Sequence, residues 1–405
     1  MNQTYASLFT PWKIGTVEIK NRIVMCSMGG TSIFGWMEPN HFDKEAANFL
    51  LERARNNVGL ILPGIAPIRD TMGGMWLYQN KAKFRQLKEF MDEFHKTGAK
   101  LFIQLTAGMG RSMAVNDLMV KMIKNKAFGL IGKPIFNMDY ICASASATPN
   151  RWADDVYSRP FTVDEIHEIV EAFAKTALLC KEAGVDGVEV HAVHEGYTLD
   201  QFTMKYTNQR TDEYGGSAEN RARFAVEAVK AIRSRLPEIP IDYKLAVRQE
   251  DPHYGNAGVV ESELGIFVPL LTDAGVTSFH VTLANHSALE NTIPPADHPY
   301  FSQPGCFLKF CDEVRQYTEL PICGVGGLND PDLVEQQLAS GRIQCAAMSR
   351  QLLADPDWVN KLKNGQAEQI HRCLRCNKKC LGGLMAHQGT RCVYDALREK
   401  EAKNA

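Results

Sequence analysis

The stretch TVDEIHEIVEAFAKTALLCKEAGVDGVEVHA, residues 162–192, contains one helix and one strand of the pattern that repeats along this chain. Apolar residues recur at helical spacing, Thr162 and Glu165 form a capping box before them, and Gly184 stands at their end. The apolar, β-branched segment GVEVHA (187–192) follows at once and predicts a short buried strand. A helix that leads directly into such a strand is typical of α/β proteins.

Segments like GVEVHA recur along the chain, and helical patterns separate several of them. The predicted strands are RIVMCS (22–27), VGLILPG (58–64), KLFIQL (100–105), GVEVHA (187–192), IDYKLAVR (241–248), TSFHVTL (277–283), LPICGVGG (320–327) and IQCAAMSR (343–350). Eight strands that alternate with helices predict an α/β fold of the (β/α)8 TIM-barrel class. A doubly wound sheet is the alternative, but MCSMGGTS stands where its G-x-G-x-x-G turn would follow the first strand. Residues 112–160, between the third and fourth strands, are predicted to lie over the barrel mouth.

The composition of the chain excludes several classes of protein. Its 405 residues are 45% hydrophobic and carry a net charge of −2, which is typical of a globular protein and gives no electrostatic reason to expect nucleic acid. The opening residues MNQTYASLFTPWKIG lack a signal-peptide pattern, and no stretch of ~18 apolar residues indicates a membrane helix. We therefore expect a cytoplasmic protein whose thiols stay reduced.

Four of the eleven cysteines lie close together near the end of the sequence. Cys373, Cys376, Cys380 and Cys392 are spaced C-x2-C-x3-C-x11-C, and thiolates this close repel one another unless a metal neutralises them. Short spacings followed by a remote fourth cysteine favour an iron–sulfur cluster. A zinc site remains open, although zinc sites with four cysteines usually have two C-x2-C pairs. The other seven cysteines are interpreted as small core residues.

Polar residues follow the predicted strands, at the end where barrel enzymes carry their active sites. They are Gln104, His191, His194, Arg248, Asn285, His286, Ser349 and Arg350. The glycine-rich turn GVGG (324–327) follows the seventh strand, and Ser349 follows the eighth. Because barrel enzymes commonly hold a phosphate group between these two loops, the pattern predicts a phosphorylated cofactor or substrate.

Three motifs closely resemble those of the Old Yellow Enzyme family of FMN-dependent barrel oxidoreductases. They are NRIVMCSM (21–28), QLTAGMGR (104–111) and HAVHEGYTLDQFTMKYTNQRTDEYGGSAENRARF (191–224). The cysteine-rich tail resembles the family branch that carries a 4Fe–4S cluster, which includes 2,4-dienoyl-CoA reductase, enoate reductase and trimethylamine dehydrogenase. The resemblance favours iron–sulfur over zinc. It implies an FMN-binding barrel domain at residues 1–365 and a cluster-binding extension at residues 366–405.

The resemblance also implies a set of flavin contacts. Gln104 would hydrogen-bond the pyrimidine edge of the flavin, and Arg248 would place a positive charge near its N1 and C2=O. Ser27 and Met28 would line the ring, and the FMN phosphate would lie against the loops after the last two strands. The flavin-binding residues implied are Ser27, Met28, Gly64, Gln104, Arg248, Gly326, Gly327, Ser349 and Arg350.

The same resemblance implies an ene-reductase, which transfers hydride from reduced FMN to the C=C bond of an enone, enoate or enoyl thioester. His191 and His194 would hydrogen-bond the substrate carbonyl oxygen, and Tyr197 would supply a proton. His286 follows the sixth strand and would be a second acid. A steroid-like or aromatic enoate substrate in an anaerobe is expected.

The sequence contains no G-x-G-x-x-G turn for a second dinucleotide, so electrons are expected from a separate protein. This donor would be a flavin- or NADH-binding subunit or a small electron carrier, with NAD(P)H as the indirect or direct source. Basic residues around the cysteines are interpreted as a docking patch for an acidic partner: Arg372, Arg375, Lys378, Lys379 and Arg391. Assembly into a homo-oligomer is left open.

Two other functions remain open from the sequence. One is a flavin-dependent dehydrogenase of the amine or desaturating type, which would pass electrons out through the cluster. The pair His191 and His194 favours the reductase, because an amine substrate needs no oxyanion hole. The other is a zinc-stabilised barrel without enzymatic activity.

Overall fold

Eight parallel strands form the centre of the computed structural model, which describes residues 3–35, 40–70, 74–132, 137–194, 197–248, 258–283, 289–386 and 389–404. An antiparallel hairpin, β1 (Trp12–Ile14) and β2 (Val17–Ile19), precedes them. The eight strands are β3 (Ile23–Met25), β4 (Leu60–Ile61), β5 (Lys100–Thr106), β6 (Gly187–Ala192), β7 (Ile241–Arg248), β8 (Ser278–Leu283), β9 (Ile322–Gly324) and β10 (Cys345–Met348). Two-residue strands at Ala66–Pro67 and Val259–Val260 extend the sheet beside β5 and β7.

The sheet closes on itself. Each strand from β3 to β9 pairs in parallel with the next, and β10 pairs with β3, so the ring has no free edge. This arrangement confirms the predicted (β/α)8 barrel and excludes the doubly wound sheet. The register places residue 191 beside 244 and residue 244 beside 280, so side chains from three neighbouring strands share one layer of the barrel interior.

Helices lie between the strands and cover the outside of the barrel. The predicted helix spans Val163–Glu182, and its capping box is present, with Thr162 accepting from the Glu165 N–H. The described helices are Lys44–Arg55, Lys81–Phe94, Asp117–Lys124, Lys126–Gly132, Met138–Ile141, Val163–Glu182, Thr198–Thr203, Ala218–Arg235, Leu264–Ala274, Leu289–Thr292, Leu308–Arg315, Pro331–Ala339, Arg350–Ala354, Trp358–Lys363, Leu381–Met385 and Asp395–Asn404. None of them is long and apolar enough to cross a membrane.

The two ends of the barrel differ in chemistry. The β1–β2 hairpin closes the amino-terminal end, where Trp12, Ile14 and Ile19 are buried in one apolar cluster with residues of the first strands. The carboxyl ends of the strands instead present polar side chains to a cavity. Because parallel strands bring their carboxyl ends to the same side, residues distant in sequence meet there.

The segment after the last barrel helices packs on this polar end. The Thr390 hydroxyl donates to the Gly29 carbonyl at 2.7 Å, and the Cys373 N–H donates to Gln351 at 2.9 Å. The side chain of Leu384 covers Gly29 so closely that a Cβ at residue 29 would lie 2.5 Å from it. The segment therefore forms one wall of the cavity. The boundary between residues 365 and 366 stays a prediction.

Candidate active site and cofactor cavity

A cavity of about 360 Å³ opens at the carboxyl ends of the barrel strands. Among the predicted site residues, those that line it are Ser27, Met28, Gly64, Gln104, His191, His194, Tyr197, Gly326, Gly327, Ser349, Arg350, Cys373 and Cys380. Arg248, Cys376 and Cys392 are described but do not line it. His286 and its neighbour Asn285 fall outside the described residues. The structure thus brings residues of the first, third, fourth, seventh and eighth barrel strands to one site.

Gln104 lines the cavity, and one of its two amide atoms has no hydrogen-bond partner among the described residues. Its Nε2 donates to the Ser27 hydroxyl at 2.9 Å and also to the Glu189 carboxylate. Its Oε1 is buried and has no hydrogen-bond partner within the described part of the chain. A buried carbonyl oxygen costs free energy unless it accepts a hydrogen bond. An N–H group of a flavin pyrimidine ring in the cavity would supply that donor.

Lys244, rather than Arg248, places its positive charge in the cavity. Its Nζ donates to the Ser27 hydroxyl at 3.0 Å, so it stands beside Gln104. Arg248 lies four residues further along β7, which is about 13 Å along a strand, and its Nε is buried without a hydrogen bond among the described residues. Both side chains belong to the same face of β7, so the sequence pattern could not distinguish them.

The loops after β9 and β10 form a cradle with little space for side chains. Gly326 has φ +118°, and a Cβ there would lie 2.9 Å from the Phe307 ring. Gly327 has φ +65°, and a Cβ there would lie 3.3 Å from the Arg375 guanidinium. Arg350 lines the same wall and is held by hydrogen bonds from its Nη1 to other loops. Glycine backbone beside a fixed cation fits a phosphate group.

His191, His194 and Tyr197 lie together on the opposite wall. The ring centroids of the two histidines are 5.6 Å apart, and those of His191 and Tyr197 are 4.1 Å apart. Burial, followed by the charge of Lys244, holds the pKa of both histidines well below its usual value, so both imidazoles are neutral. His194 has φ +72°, a strained conformation for a residue with a side chain, which indicates that its orientation matters.

A buried charged cluster of Glu189, Asp242 and His280 lies below the cavity and was not predicted from the sequence. Glu189 accepts from Gln104 and, at 2.8 Å, from Nδ1 of His280. Burial would raise the pKa of Glu189, but His280 and Lys244 hold it well below its usual value. Burial and the charge of Glu189 raise the pKa of Asp242, so one carboxyl group of this pair is ionised and the other neutral. Polar residues at alternate positions of β6, β7 and β8 were the available signal.

The four clustered cysteines belong to the segment that packs on the carboxyl end of the barrel, and Cys373 lies near Cys380 and Cys392. Burial raises the pKa of Cys373, and the proximity of Cys380 and Cys392 adds to the shift. The Arg375 N–H donates to the Cys373 sulfur at 3.4 Å. Arg375 and Asn377 both have positive φ, at 52° and 55°, so the backbone turns sharply on either side of Cys376. Such N–H donors stabilise metal-bound thiolates.

The basic patch predicted around these cysteines is smaller than expected. Arg375 is buried, and its guanidinium donates to the carbonyl oxygens of Ser302, Phe301 and Pro294. Its inclusion in a surface patch was wrong, because the loop turns this side chain inward to anchor itself on the barrel. The exposed basic residues are Arg372, Lys378, Lys379 and Arg391.

Asp200, one helical turn after Tyr197, is expected to make stability depend on pH. Burial raises its pKa from 3.8 to about 8, so the folded chain holds this proton more tightly than the unfolded chain. The free energy of unfolding should therefore fall as pH rises from about 4 to about 8, by at most ~1.4 kcal/mol per pH unit. Thermal melts between pH 5 and pH 9 should show a shallower decline for Asp200→Asn, and an exposed control, Asp92→Asn, should follow the parent. Equal slopes for Asp200→Asn and the parent would contradict this assignment.

A (β/α)8 barrel with this glycine cradle, unpaired glutamine oxygen and neutral imidazole pair has the features of a flavin-dependent oxidoreductase. The chain belongs to the NADH:flavin oxidoreductase / NADH oxidase family, whose model matches residues 7–369. The resemblance to the Old Yellow Enzyme family is thereby confirmed, and the chain is an oxidoreductase that uses a flavin.

Relatives of known activity match almost the whole chain. It is 40% identical over 401 residues to bilirubin reductase of Clostridium symbiosum, covering 98% of this chain and 99% of that one. It is 32% identical to cinnamate reductase of Clostridium sporogenes, covering 99% of this chain and 59% of that one. Among solved structures, a complex of 2-naphthoyl-CoA reductase with 2-naphthoyl-CoA matches with a TM-score of 0.79 and 26% identity, over 96% of this chain and 56% of that chain.

Proposed function

We propose that this chain is an FMN- and 4Fe–4S-dependent ene-reductase that reduces the C=C bond of an α,β-unsaturated carbonyl compound. The observation that carries the proposal is the pair of neutral imidazoles of His191, which is buried, and His194, which is half-buried; both line the cavity that also contains the glycine cradle. Two neutral imidazoles beside a tyrosine suit a substrate whose oxygen gains negative charge. Reductases that act on conjugated compounds are among the relatives.

The residues of the cavity divide the chemistry among them. Reduced FMN, when bound in the cavity, would supply a hydride to the β carbon of the substrate. His191 and His194 each offer one N–H to the carbonyl oxygen as it becomes negative, and each such donor is typically worth ~10²–10³ in rate. The Tyr197 hydroxyl stays protonated at neutral pH and gives a proton to the α carbon. Lys244 and Gln104, which both donate to the Ser27 hydroxyl, would hold the pyrimidine edge of the flavin.

The cysteine loop fits a 4Fe–4S cluster better than zinc. Zinc bound by four thiolates at ~2.3 Å would bring their sulfurs within about 3.8 Å of one another. In the described part of the chain, no three cysteine sulfurs lie within 4.8 Å of one another, which fits a larger centre. Bound there, such a cluster supplies electrons singly. Cys373, Cys376, Cys380 and Cys392 would hold it at residues 366–405, beside the flavin barrel at 1–365.

A separate protein is proposed as the electron donor. Arg372, Lys378, Lys379 and Arg391 are exposed around the cysteine loop and suit the acidic surface of a small electron carrier or a flavin- or NADH-binding subunit. NAD(P)H is the proposed ultimate source of the electrons.

The substrate is proposed to be a conjugated molecule with a carboxylate, because bilirubin and cinnamate, the compounds in the names of two relatives, share these features. Ile65, Met109 and Trp152 provide an apolar wall of the cavity. Arg151 adds a positive charge beside it and donates to the His194 carbonyl at 3.4 Å. Part of the 112–160 segment therefore contributes to the substrate side of the cavity.

Replacing Arg151 with methionine is expected to raise KM for a carboxylate substrate about 10- to 100-fold, because a charge-assisted hydrogen bond is worth ~1.5–3 kcal/mol. Steady-state kinetics should compare cinnamate with its methyl ester, which has no charge for Arg151 to bind. Arg151→Lys keeps the charge and should lose less. An equal KM increase for acid and ester would show that Arg151 acts through the position of His194 instead.

Anaerobic purification followed by stopped-flow mixing tests the function itself. The purified chain should contain FMN, iron and sulfide, and its reduced flavin should be reoxidised by enones, enoates or their thioesters. Reduction of the oxidised flavin by amines, with no reoxidation by unsaturated carbonyls, would instead support the dehydrogenase. A colourless chain that contains zinc would overturn both enzymatic functions.

A further inference from the structure

Cys26 occupies a position unlike that of any other described cysteine. It follows β3 at the floor of the cavity, and its sulfur lies 2.8 Å from the Ser349 hydroxyl. The imidazole of His280 lies beside the sulfur. Nε2 of His280 is fully buried and has no hydrogen-bond partner in the described part of the chain. An unpartnered ring nitrogen therefore faces a thiol on the cavity wall.

Glu189 completes this arrangement from the other side of the imidazole. Its carboxylate lies 2.8 Å from Nδ1 of His280, so carboxylate, imidazole and thiol form one chain of contacts. Burial would raise the pKa of Cys26, but His280 and then Lys244 lower it. At the buried cysteines Cys142 and Cys180 no such partner stands nearby, and burial raises the pKa of both. A carboxylate, an imidazole and a thiol arranged in this order are the groups found at activated nucleophiles.

We propose that Cys26 is a nucleophilic modification site for α,β-unsaturated carbonyl compounds that enter the cavity before flavin covers its floor. The thiolate sulfur forms a bond to the β carbon, and the π electrons of the C=C bond move to the carbonyl oxygen. The α carbon then takes a proton, either from His280 Nε2 or from water. The net reaction adds S–H across C=C, with no leaving group and no change in total electrons, so it needs no oxidant.

The consequence is competition between flavin and electrophile. Cys26 is followed by Ser27, which hydrogen-bonds both Gln104 and Lys244 at the proposed flavin edge. A thioether on Cys26 would fill this space, so the modified chain should not bind FMN, and the FMN-loaded chain should not be modified. This consequence rests on the proposed function, whereas the reactivity of Cys26 does not.

N-Ethylmaleimide, an unsaturated imide, is the probe for this site. Trypsin releases Cys26 as the only cysteine of residues 23–44 and Cys180 as the only cysteine of residues 176–181, so mass spectrometry can follow both. In the full chain stripped of flavin at pH 7, Cys26 should react at least about tenfold faster in the parent than in His280→Asn, because the thiolate is the reactive form, while the fully buried Cys180 stays unmodified in both. Equal rates at Cys26 in the parent and in His280→Asn overturn the proposal.

Repeating the N-ethylmaleimide reaction in the presence of FMN tests the reactivity of Cys26 and the proposed flavin position separately. Protection of Cys26 by FMN supports both, and loss of FMN binding after treatment, in the parent but not in Cys26→Ser, supports the competition. Rapid modification that FMN does not slow supports the nucleophilic site and counts against the proposed flavin position.

The pH profile tests the role of His280. The reaction rate of a thiol rises ~tenfold per pH unit below its pKa and levels off above it, so a lowered pKa should make the rate at Cys26 level off at a lower pH than that of an ordinary thiol. His280→Asn should move this profile to higher pH, and His95→Asn, a surface control, should not. A profile that His280→Asn leaves unchanged would show that His280 does not activate Cys26.

Discussion

Replacing Cys380 with serine is expected to abolish turnover driven by a one-electron donor, while FMN stays bound. Cys380 lies on the cavity wall immediately before helix Leu381–Met385. A hydroxyl is a poor replacement for a thiolate ligand of an iron–sulfur centre, because iron in such centres is held by soft sulfur donors. Iron and acid-labile sulfide per chain should fall to near zero, and FMN content should not change.

The matched control is Cys306→Ser, which alters a half-buried cysteine outside the proposed ligand set. It should keep its iron, its FMN and its turnover. Full iron content in Cys380→Ser would remove Cys380 from the ligands, and loss of zinc instead of iron would identify a different metal centre. Loss of FMN together with iron would show that the cysteine loop also supports the flavin cradle.

The barrel could be predicted from the sequence because its signal is repeated and local. Strands β6 and β7 have the predicted bounds, since each is a continuous apolar run with polar residues only at alternate positions. The prediction was poorer for VGLILPG, where only Leu60–Ile61 pair as a strand. Val58 and Leu62 flank this pair and are buried, and the Leu62 N–H still donates to the Met25 carbonyl at 2.8 Å. Burial alone cannot distinguish a strand from a buried loop.

The sequence could predict which residues belong to the site, but not how far along each strand the cavity lies or which buried residues contact one another beneath it. Motifs and strand ends indicated Gln104 and the two histidines, which do meet at one cavity. Choosing Lys244 over Arg248 required knowing how far β7 extends beyond the cavity, which depends on strand tilt in the closed barrel. The contact between Glu189 and His280 joins two strands 91 residues apart, and no local pattern encodes such a distance.

Replacing both His191 and His194 with alanine is expected to slow reoxidation of the reduced flavin by an enone at least ~10³-fold, because removal of one oxyanion donor costs ~10²–10³. FMN should remain bound, since Gln104, Lys244 and the glycine cradle are unchanged. His194→Asn is the matched control, because an amide retains an N–H donor, and its rate constant should stay within about tenfold of the parent. Stopped-flow absorbance at saturating enone gives the rate constant directly.

The pH dependence of that rate constant distinguishes neutral imidazoles from charged ones. Burial and Lys244 hold the pKa of both histidines well below its usual value. Both rings are therefore already neutral at pH 6, and the parent rate constant should not fall as pH rises from 6 to 8. A fall across this range would mean that an imidazolium is the donor. Reoxidation of the double variant at nearly the parent rate would remove the pair from the reaction and leave Tyr197 as the polar group that contacts the substrate.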